Sequence, residues 1–332
     1  MSIRQELVCR WVRPYIVREL PGWGKVYALL IGGWKRDAQW TGAKIRTIRG
    51  KLHGYEMTLD ISRWSERYTY FLGRFYDLET QLLMKRFLRP GDRVADVGAN
   101  VGMITLLAAR LVGPEGVVEA FEPNPVCQRK VEHALVRNRI GHVRLHGVGL
   151  GAETSHARLS VKSINSGEGT LTPVDDRSGF DTIHDVRVVR GDSILAIDAR
   201  AIALIKIDVE GFECHALRGL RTTLEHHRPL VSTEIVEAHL RRAGKNSADV
   251  FRTMHDSGYT AYAMGLRRGL FGHTLDLQPC TAPVPGRPNV LWIPLDGPFA
   301  SRARALRLVP AIRQLKAPVA PIPATATRAA RG

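Results

Sequence analysis

From Arg93 onward the chain alternates short apolar runs with amphipathic stretches, and this rhythm admits few folds. The run 93-RVADV-97 leads into a helical stretch over 101–111, and 117-VVEAFE-122 into another over 125–138, with Asn124 placed to cap it ahead of Pro125. A third run, 143-VRLHGV-148, follows. The rhythm resumes with 202-IALIKID-208, a helix near 213–226, 230-LVSTEI-235, a helix near 246–257, and the runs 259-YTAYAM-264 and 289-NVLWIP-294. Alternating strands and helices predict an α/β fold, a mostly parallel sheet covered by helices on both faces. Ligands of such sheets bind beyond the C-terminal strand ends. That rule singles out Asp96, Glu122, Val148, Asp208 and Glu234.

Other segments depart from the rhythm. Residues 1–40 read as helical and aromatic-rich, broken at Pro21-Gly22; 44-KIRTIRG-50 and 55-YEMTLDI-61 read as two strands; 77–88 suits a helix ended by Pro90-Gly91. Residues 151–191 hold Gly167, Gly169, Pro173 and Gly179, with strand-like pieces at 157-ARLSV-161 and 186-VRVVR-190. They read as a loop and edge-hairpin insertion. We expect an extension over 1–75, a catalytic domain over 76–296, and a Pro/Ala-rich tail over 297–332 whose composition suits disorder.

The turn after the first run of the domain reads D-V-G-A-N-V-G, from Asp96 to Gly102. A dinucleotide loop would read G-x-G-x-x-G. Here Gly102 sits four after Gly98, Asn100 occupies the middle, and a carboxylate stands at the strand end. Asp96, expected to point into the crevice, would repel a pyrophosphate and suit a cationic ligand. S-adenosylmethionine carries a sulfonium and an ammonium and no phosphate. Its one carboxylate can meet the helix N-terminus beyond Gly102. Glu122, at the end of the next strand, can accept both ribose hydroxyls, a feature shared with nicotinamide sites.

The stretch 205-IKIDVEGFE-213 crowds Lys206, Asp208, Glu210 and Glu213 around a strand end, and Gly211 permits a turn. Carboxylates are costly to bury unless they meet partners or substrate. A cluster of like charges raises a pKa and can create a general base. Lys206 reads as a structural ion pair and Glu213 as a first-turn helix acid.

The net charge of +16 sits at the ends. Residues 1–50 carry ten Lys/Arg against three Asp/Glu, and 301–332 carry seven with no acid, so 51–300 hold only +2. This argues against a site built to grip nucleic acid. The basic ends read first as solvated termini, with peripheral contact at an inner membrane surface as the other reading. Trp11, Tyr15, Trp23 and Tyr27 are expected to pack on the domain. Four scattered cysteines, without a CxxC pair, and the lack of a secretory signal or a run of ~20 apolar residues suggest a cytoplasmic protein.

The chain resembles the FkbM family of S-adenosylmethionine-dependent methyltransferases. The matching pieces are 79-ETQLLMKRFLRPGDRVADVGANVGMITLLAA-109, 120-AFEPNP-125, 165-NSGEGTL-171, 205-IKIDVEGFECHALRGL-220 and 228-RPLVSTE-234. The resemblance implies the class I methyltransferase fold, a Rossmann-like seven-stranded sheet whose last strand, 289–294 here, runs antiparallel. It implies O-methylation of sugar or natural-product hydroxyls, with a small molecule, glycan or lipid-linked glycan as acceptor. By position, Asp96, Gly98, Asn100 and Gly102 would line the methionine end and Glu122 would hold the ribose. Val148, Gly149 and Asp192 would lie near adenine, and Asp208, Glu210 and Glu234 would face methyl and acceptor. The segment 75-FYDLET-80 departs from the family pattern at Glu79, often an acid near the cofactor.

On this reading Asp208 or Glu210 takes the hydroxyl proton and Glu234 binds acceptor hydroxyls. The same oxygens would suit Mg²⁺, but no His joins them and no metal ligand is assigned. The competing enzyme class is an NAD(P)-dependent oxidoreductase or epimerase of sugar-type substrates. It leaves Asp96 and the missing G-x-G-x-x-G unexplained. A partner-binding protein with a degenerate site is the non-enzymatic alternative.

Overall fold

The computed structural model describes residues 2–162, 165–172, 179–195, 200–269 and 272–306. Much of the tail expected to be disordered, from 307 onward, lies outside the described residues, as do parts of the 151–191 insertion. Residues Pro298–Ala305, by contrast, form a helix that buries Phe299, Ala300 and Ala303.

The first 75 residues are helical, then a hairpin, as the sequence suggests. Helix α1 (Ile3–Leu7) continues through a π turn (Val8–Val12) into α2 (Arg13–Val17), and α3 (Trp23–Leu30) follows the break at Pro21-Gly22. Ser2 and Gln5 form a capping box at the start. Strands β1 (Ile45–Arg49) and β2 (Glu56–Asp60) pair antiparallel, and α4 (Trp64–Leu72) completes the extension. It is no separate domain. Ile16, Tyr27 and Phe71 share one core with Val101, Met103, Leu106 and Val131. Tyr15 and Trp23 pack against this core too, as expected. Trp11 does not; it is 70% exposed.

The domain proper runs α5 (Leu78–Phe87), β3 (Arg93–Val97), α6 (Met103–Val112), β4 (Val117–Phe121), α7 (Pro125–Arg137) and β5 (Val143–His146). Asn124 caps α7 by accepting from Val126 N. The insertion forms its own small sheet of β6 (Gly149–Leu150), β7 (Ser155–Lys162), β8 (Asn165–Thr170) and β9 (Thr182–Val189), in the order β6-β9-β7-β8. This is more than the loop and hairpin expected. Then come α8 (Asp192–Leu195), β10 (Ile202–Ile207), α9 (Glu213–Gly219), α10 (Arg221–His227) and β11 (Leu230–Glu234). The chain finishes with α11 (Glu237–Arg242), α12 (Ser247–Asp256), β12 (Tyr259–Gly269), β13 (Gly272–Cys280), β14 (Asn289–Pro294) and α13 (Pro298–Ala305).

The main sheet has eight strands, ordered β13-β12-β14-β11-β10-β3-β4-β5. Strands β5, β4, β3, β10 and β11 are mutually parallel. Strand β14 runs antiparallel to both β11 and β12, as expected of 289–294. The count exceeds the expected seven because β13 adds a hairpin arm to β12 at the sheet edge. Every residue of β3 and of β10 is buried, which is why both read as apolar runs interrupted only by groups with a partner. Arg93 is the example at the far end: its guanidinium meets Glu119 on β4 at 2.8 Å, pinning the β3–β4 register. No described helix is long and apolar enough to cross a membrane.

Candidate active site

Strands β3 and β10 lie side by side, with Asp96 opposite Lys206 and Val97 opposite Ile207. Both chains then leave the sheet through turns that need left-handed backbone. After β3 these are Gly98 (φ 81), Asn100 (φ 50) and Gly102 (φ 88); after β10, Glu210 (φ 54) and Gly211 (φ 107). Left-handed backbone at a non-glycine residue is uncommon and clusters at functional sites. Here it occurs in both turns.

The two turns touch. A Cβ on Gly98 would stand 1.9 Å from the Asp208 carbonyl oxygen, and one on Gly211 would stand 2.3 Å from the His239 carbonyl oxygen. Between them opens a cleft lined by Gly98, Asn100, Glu122, Val148, Gly149, Asp208 and Glu210, seven of the residues singled out from sequence. Leu159, Gly169 and Leu171 of the insertion close one wall, and Phe75 and Tyr76 another.

Four expected residues do not line this cleft. Asp96 is fully buried behind the turn rather than pointing into the crevice. Its Oδ2 accepts from Thr105 Oγ1 at 2.6 Å and its Oδ1 lies 3.5 Å from Lys206 Nζ. Gly102 serves as the N-cap of α6 and packs its backbone near Val131. Asp192 accepts from Thr222 N, Thr223 N and Thr223 Oγ1 at 2.8–3.0 Å, so its carboxylate is engaged at the start of α10. Glu234 stands one strand over from Asp208, half-buried, with its carboxylate turned to the other acids. Glu79, in the first turn of α5, also stays off the cleft wall.

Lys206 ties the floor together. Its ammonium donates to Gly98 O at 2.7 Å and sits 3.5 Å from Asp96 and 3.6 Å from Asp208. Burial works against its charge, but Asp208 and Asp96 outweigh it and hold its pKa above the usual lysine value. Glu122 accepts from Asn100 N at 2.6 Å and Asn124 N at 2.8 Å. Burial nevertheless pushes its carboxyl up to about 7. Each oxygen retains a lone pair for a ribose hydroxyl. Glu213 is a first-turn acid, as read, and also reaches back: its Oε1 accepts from Val209 N and Gly211 N at 3.2 Å, bracing the second turn.

Asp208 and Glu210 on the cleft wall and Glu234 beside them each offer a carboxylate oxygen within 4.8 Å of the others. The charge of Asp208, followed by burial and the charges of Glu210 and Asp77, raises Glu234 to about 10. Three neighbours carry no signal in the sequence. His239 Nδ1 meets Glu210 Oε2 at 2.7 Å, and this hydrogen bond raises the imidazole pKa despite burial. Asp77, raised to about 6 chiefly by burial, caps α5 and accepts from Asn289 at 3.2 Å. Tyr76 is the third: burial and the charges of Asp208, Glu234 and Glu210 hold its phenol well above the usual value. Only the departure of 75-FYDLET-80 from pattern marked this segment.

The donor set fits S-adenosylmethionine. Asp208 and Glu122 line the cleft, and Lys206, the cation among its described lining residues, is already engaged by backbone carbonyls and acids. A pyrophosphate would meet the Asp208 and Glu122 carboxyls there with Lys206 already engaged; a sulfonium and an ammonium would find acceptors.

A family model for the methyltransferase FkbM domain matches residues 96–261, half of the chain. The chain belongs to the FkbM methyltransferase family. The family's methyl donor is S-adenosylmethionine, and the nicotinamide-dependent reading falls away with the match. A protein of Beauveria bassiana (strain ARSEF 2860), "Methyltransferase 1", is 26% identical over 161 residues, 43% of this chain and 63% of that protein. The "31-O-demethyl-FK506 methyltransferase FkbM" of Streptomyces tacrolimicus is 32% identical over 179 residues, 46% of this chain and 67% of the relative. This chain thus spans less than two thirds of the fungal relative. A solved structure of methyltransferase FkbM from Methylobacillus flagellatus KT has a TM-score of 0.37 and 18% identity, covering 82% of this chain and 60% of that one.

Proposed function

We propose that this FkbM-family protein methylates a hydroxyl of a sugar, glycan or related natural product. The observation that carries the reading is the convergence of Asp208, Glu210 and Glu234 beside the cofactor turn. Carboxylates such as those of Asp208 and Glu210 accept hydroxyl hydrogen bonds in number, which suits a polyol. An aromatic wall stands next to them. Tyr76 is 36% exposed, lines the cleft, stacks on Tyr68 with ring centroids 6.0 Å apart, and meets the tilted rings of Phe75 and Trp64 at 4.2 and 5.6 Å. An aromatic face beside carboxylates matches a sugar ring, apolar on its C–H face and polar at its rim. The Streptomyces relative is named for 31-O-demethyl-FK506, which supports oxygen as the receiving atom.

When bound, S-adenosylmethionine supplies a methyl group on a sulfonium that leaves without protonation. The protein's task is to hold the acceptor oxygen in line at roughly 3–3.5 Å and to take its proton. Asp208 and Glu210 line the cleft and are the bases in reach of a hydroxyl there. Lys206 keeps Asp208 in place, and His239 does the same for Glu210. Glu234, off the cleft wall but with a carboxylate oxygen within 4.8 Å of both, is a positioning group for these two. General-base help is worth typically ~10²–10⁴-fold. The test is kcat of Asp208→Asn and Glu210→Gln at saturating cofactor, on acceptors found by labelled methyl transfer to a panel of glycans, lipid-linked glycans and polyketides. Normal kcat in both variants would sink the base assignment.

A further inference from the structure

The N-terminal helix carries an apolar ridge that the fold does not use. Through α1, the π turn and α2, the inward face buries Gln5, Val8, Cys9 and Ile16. Ile3, Leu7 and Trp11, spaced by four, form a stripe on the other side with exposures of 81%, 51% and 70%. Exposed Arg4, Arg10 and Arg18 flank or extend that stripe, and Arg10 lies over the Trp11 ring at 5.4 Å. Glu6, the acid of this helix's outer surface, is taken by Arg46 at 2.7 Å and falls to one side of the ridge.

We propose that this ridge docks the protein on an anionic lipid bilayer. Charge selects this occupant over others. Residues 1–50 carry ten Lys/Arg against three Asp/Glu, so a second copy would present the same excess. The chain's own 301–332 segment has seven basic residues and no acid, so it is repelled too. An anionic bilayer answers both halves of the face. Leucine, isoleucine and an interfacial tryptophan enter the headgroup boundary, while arginines snorkel to lipid phosphates. The ridge is independent of the acceptor chemistry, since no residue of it lines the cleft.

The test is sedimentation of the full chain with phosphatidylglycerol-containing vesicles and with pure phosphatidylcholine vesicles. Wild type should bind the anionic vesicles at least tenfold more tightly, and added salt should weaken the binding. Leu7→Ser/Trp11→Ser should lose at least tenfold in that affinity, while its melting temperature and S-adenosylhomocysteine binding stay at wild-type values. Arg10→Gln/Arg18→Gln should weaken binding and flatten its salt dependence. Absent binding by wild type, equal binding to both vesicle types, or undiminished binding by the Leu7/Trp11 variant each overturns the proposal. So does a concentration-dependent dimer of the wild type that the Leu7/Trp11 variant loses, since the ridge would then be a self-contact.

Discussion

The α-carbon of Gly98 faces the carbonyl of Asp208 so closely that a Cβ would stand 1.9 Å from its oxygen. The cofactor turn and the acidic turn are therefore one assembly, each shaped by the other's backbone. Gly98→Ala also places a side chain at φ 81, a left-handed cost of about 1–2 kcal/mol before any clash. The turn must shift, so S-adenosylhomocysteine affinity by calorimetry should fall at least tenfold. Gly102→Ala is the control. It shares the positive φ, but its Cβ would meet only the Val131 side chain, at 3.1 Å, which can move. Equal cofactor affinity in the two variants would show that contact with Asp208 does not matter.

Lys206 lies beneath that assembly, paired with Asp96 and Asp208. Replacing it by Met leaves Asp96 buried without its counter-charge and frees the Gly98 carbonyl. Breaking a buried pair from one side typically costs about 3–5 kcal/mol. Lys206→Met should therefore lower the denaturant midpoint sharply and abolish cofactor binding. The double variant Lys206→Met/Asp96→Asn should recover part of the stability but not the affinity. A single variant as stable as wild type would mean that Asp96 is neutral without Lys206.

Much of this was readable in the chain. Alternating apolar runs and glycine turns placed the parallel strands, and strand ends located Glu122 and Asp208, because a parallel sheet delivers its functional groups there; the crowded acids of 205–213 located Glu210. What stayed hidden depended on depth and on distant pairings. Asp96 sits at a strand end like Glu122, yet the turn folds over it and Thr105 and Lys206 claim it. Asp192 was placed at the adenine side by its position along the chain, but α10 begins beside it and takes its carboxylate. Tyr76 and Asp77, at the start of the 77–88 helix, and His239 reach the site from outside the strand ends that the rule inspects. Strand β13 escaped because an edge strand exposed over much of its length carries little apolar patterning.

The acid cluster should cost the fold stability. Glu234 is raised to about 10, first by Asp208 and then by burial. An acid raised in the fold binds a proton that the unfolded chain has released above about 4.5. Its effect is thus a loss of stability that grows as pH rises from about 4.5 toward 10. Glu234→Gln removes that loss. The variant should melt above wild type at pH 8, with the advantage shrinking toward pH 5, while kcat/KM for the acceptor falls. A melting advantage independent of pH would place the effect elsewhere.

The Glu210–His239 pair has the opposite sign. Its hydrogen bond raises the imidazole above the ordinary value. A raised histidine contributes stability that is present below about 6.5 and is lost as pH climbs through the folded value. His239→Asn should therefore destabilise the protein at pH 5.5 and matter little at pH 8.5. It should also raise KM more than it lowers kcat if the imidazole only positions Glu210. A change confined to kcat would instead make His239 part of the proton relay.

Three carboxylates within 4.8 Å can be held together by protons or by a divalent cation. Here the neighbours already supply positive partners: Lys206 for Asp208 and His239 for Glu210. Glu234, raised to about 10, keeps a proton at neutral pH. Mg²⁺ would have to displace that proton and shed water, which it does reluctantly. We therefore expect methyl transfer to survive dialysis against EDTA, and added Mg²⁺ to change the rate less than twofold. Activity that disappears with EDTA and returns with Mg²⁺ would turn the three carboxylates into ligands, and the acceptor hydroxyl would then be activated by the cation rather than by Asp208 or Glu210.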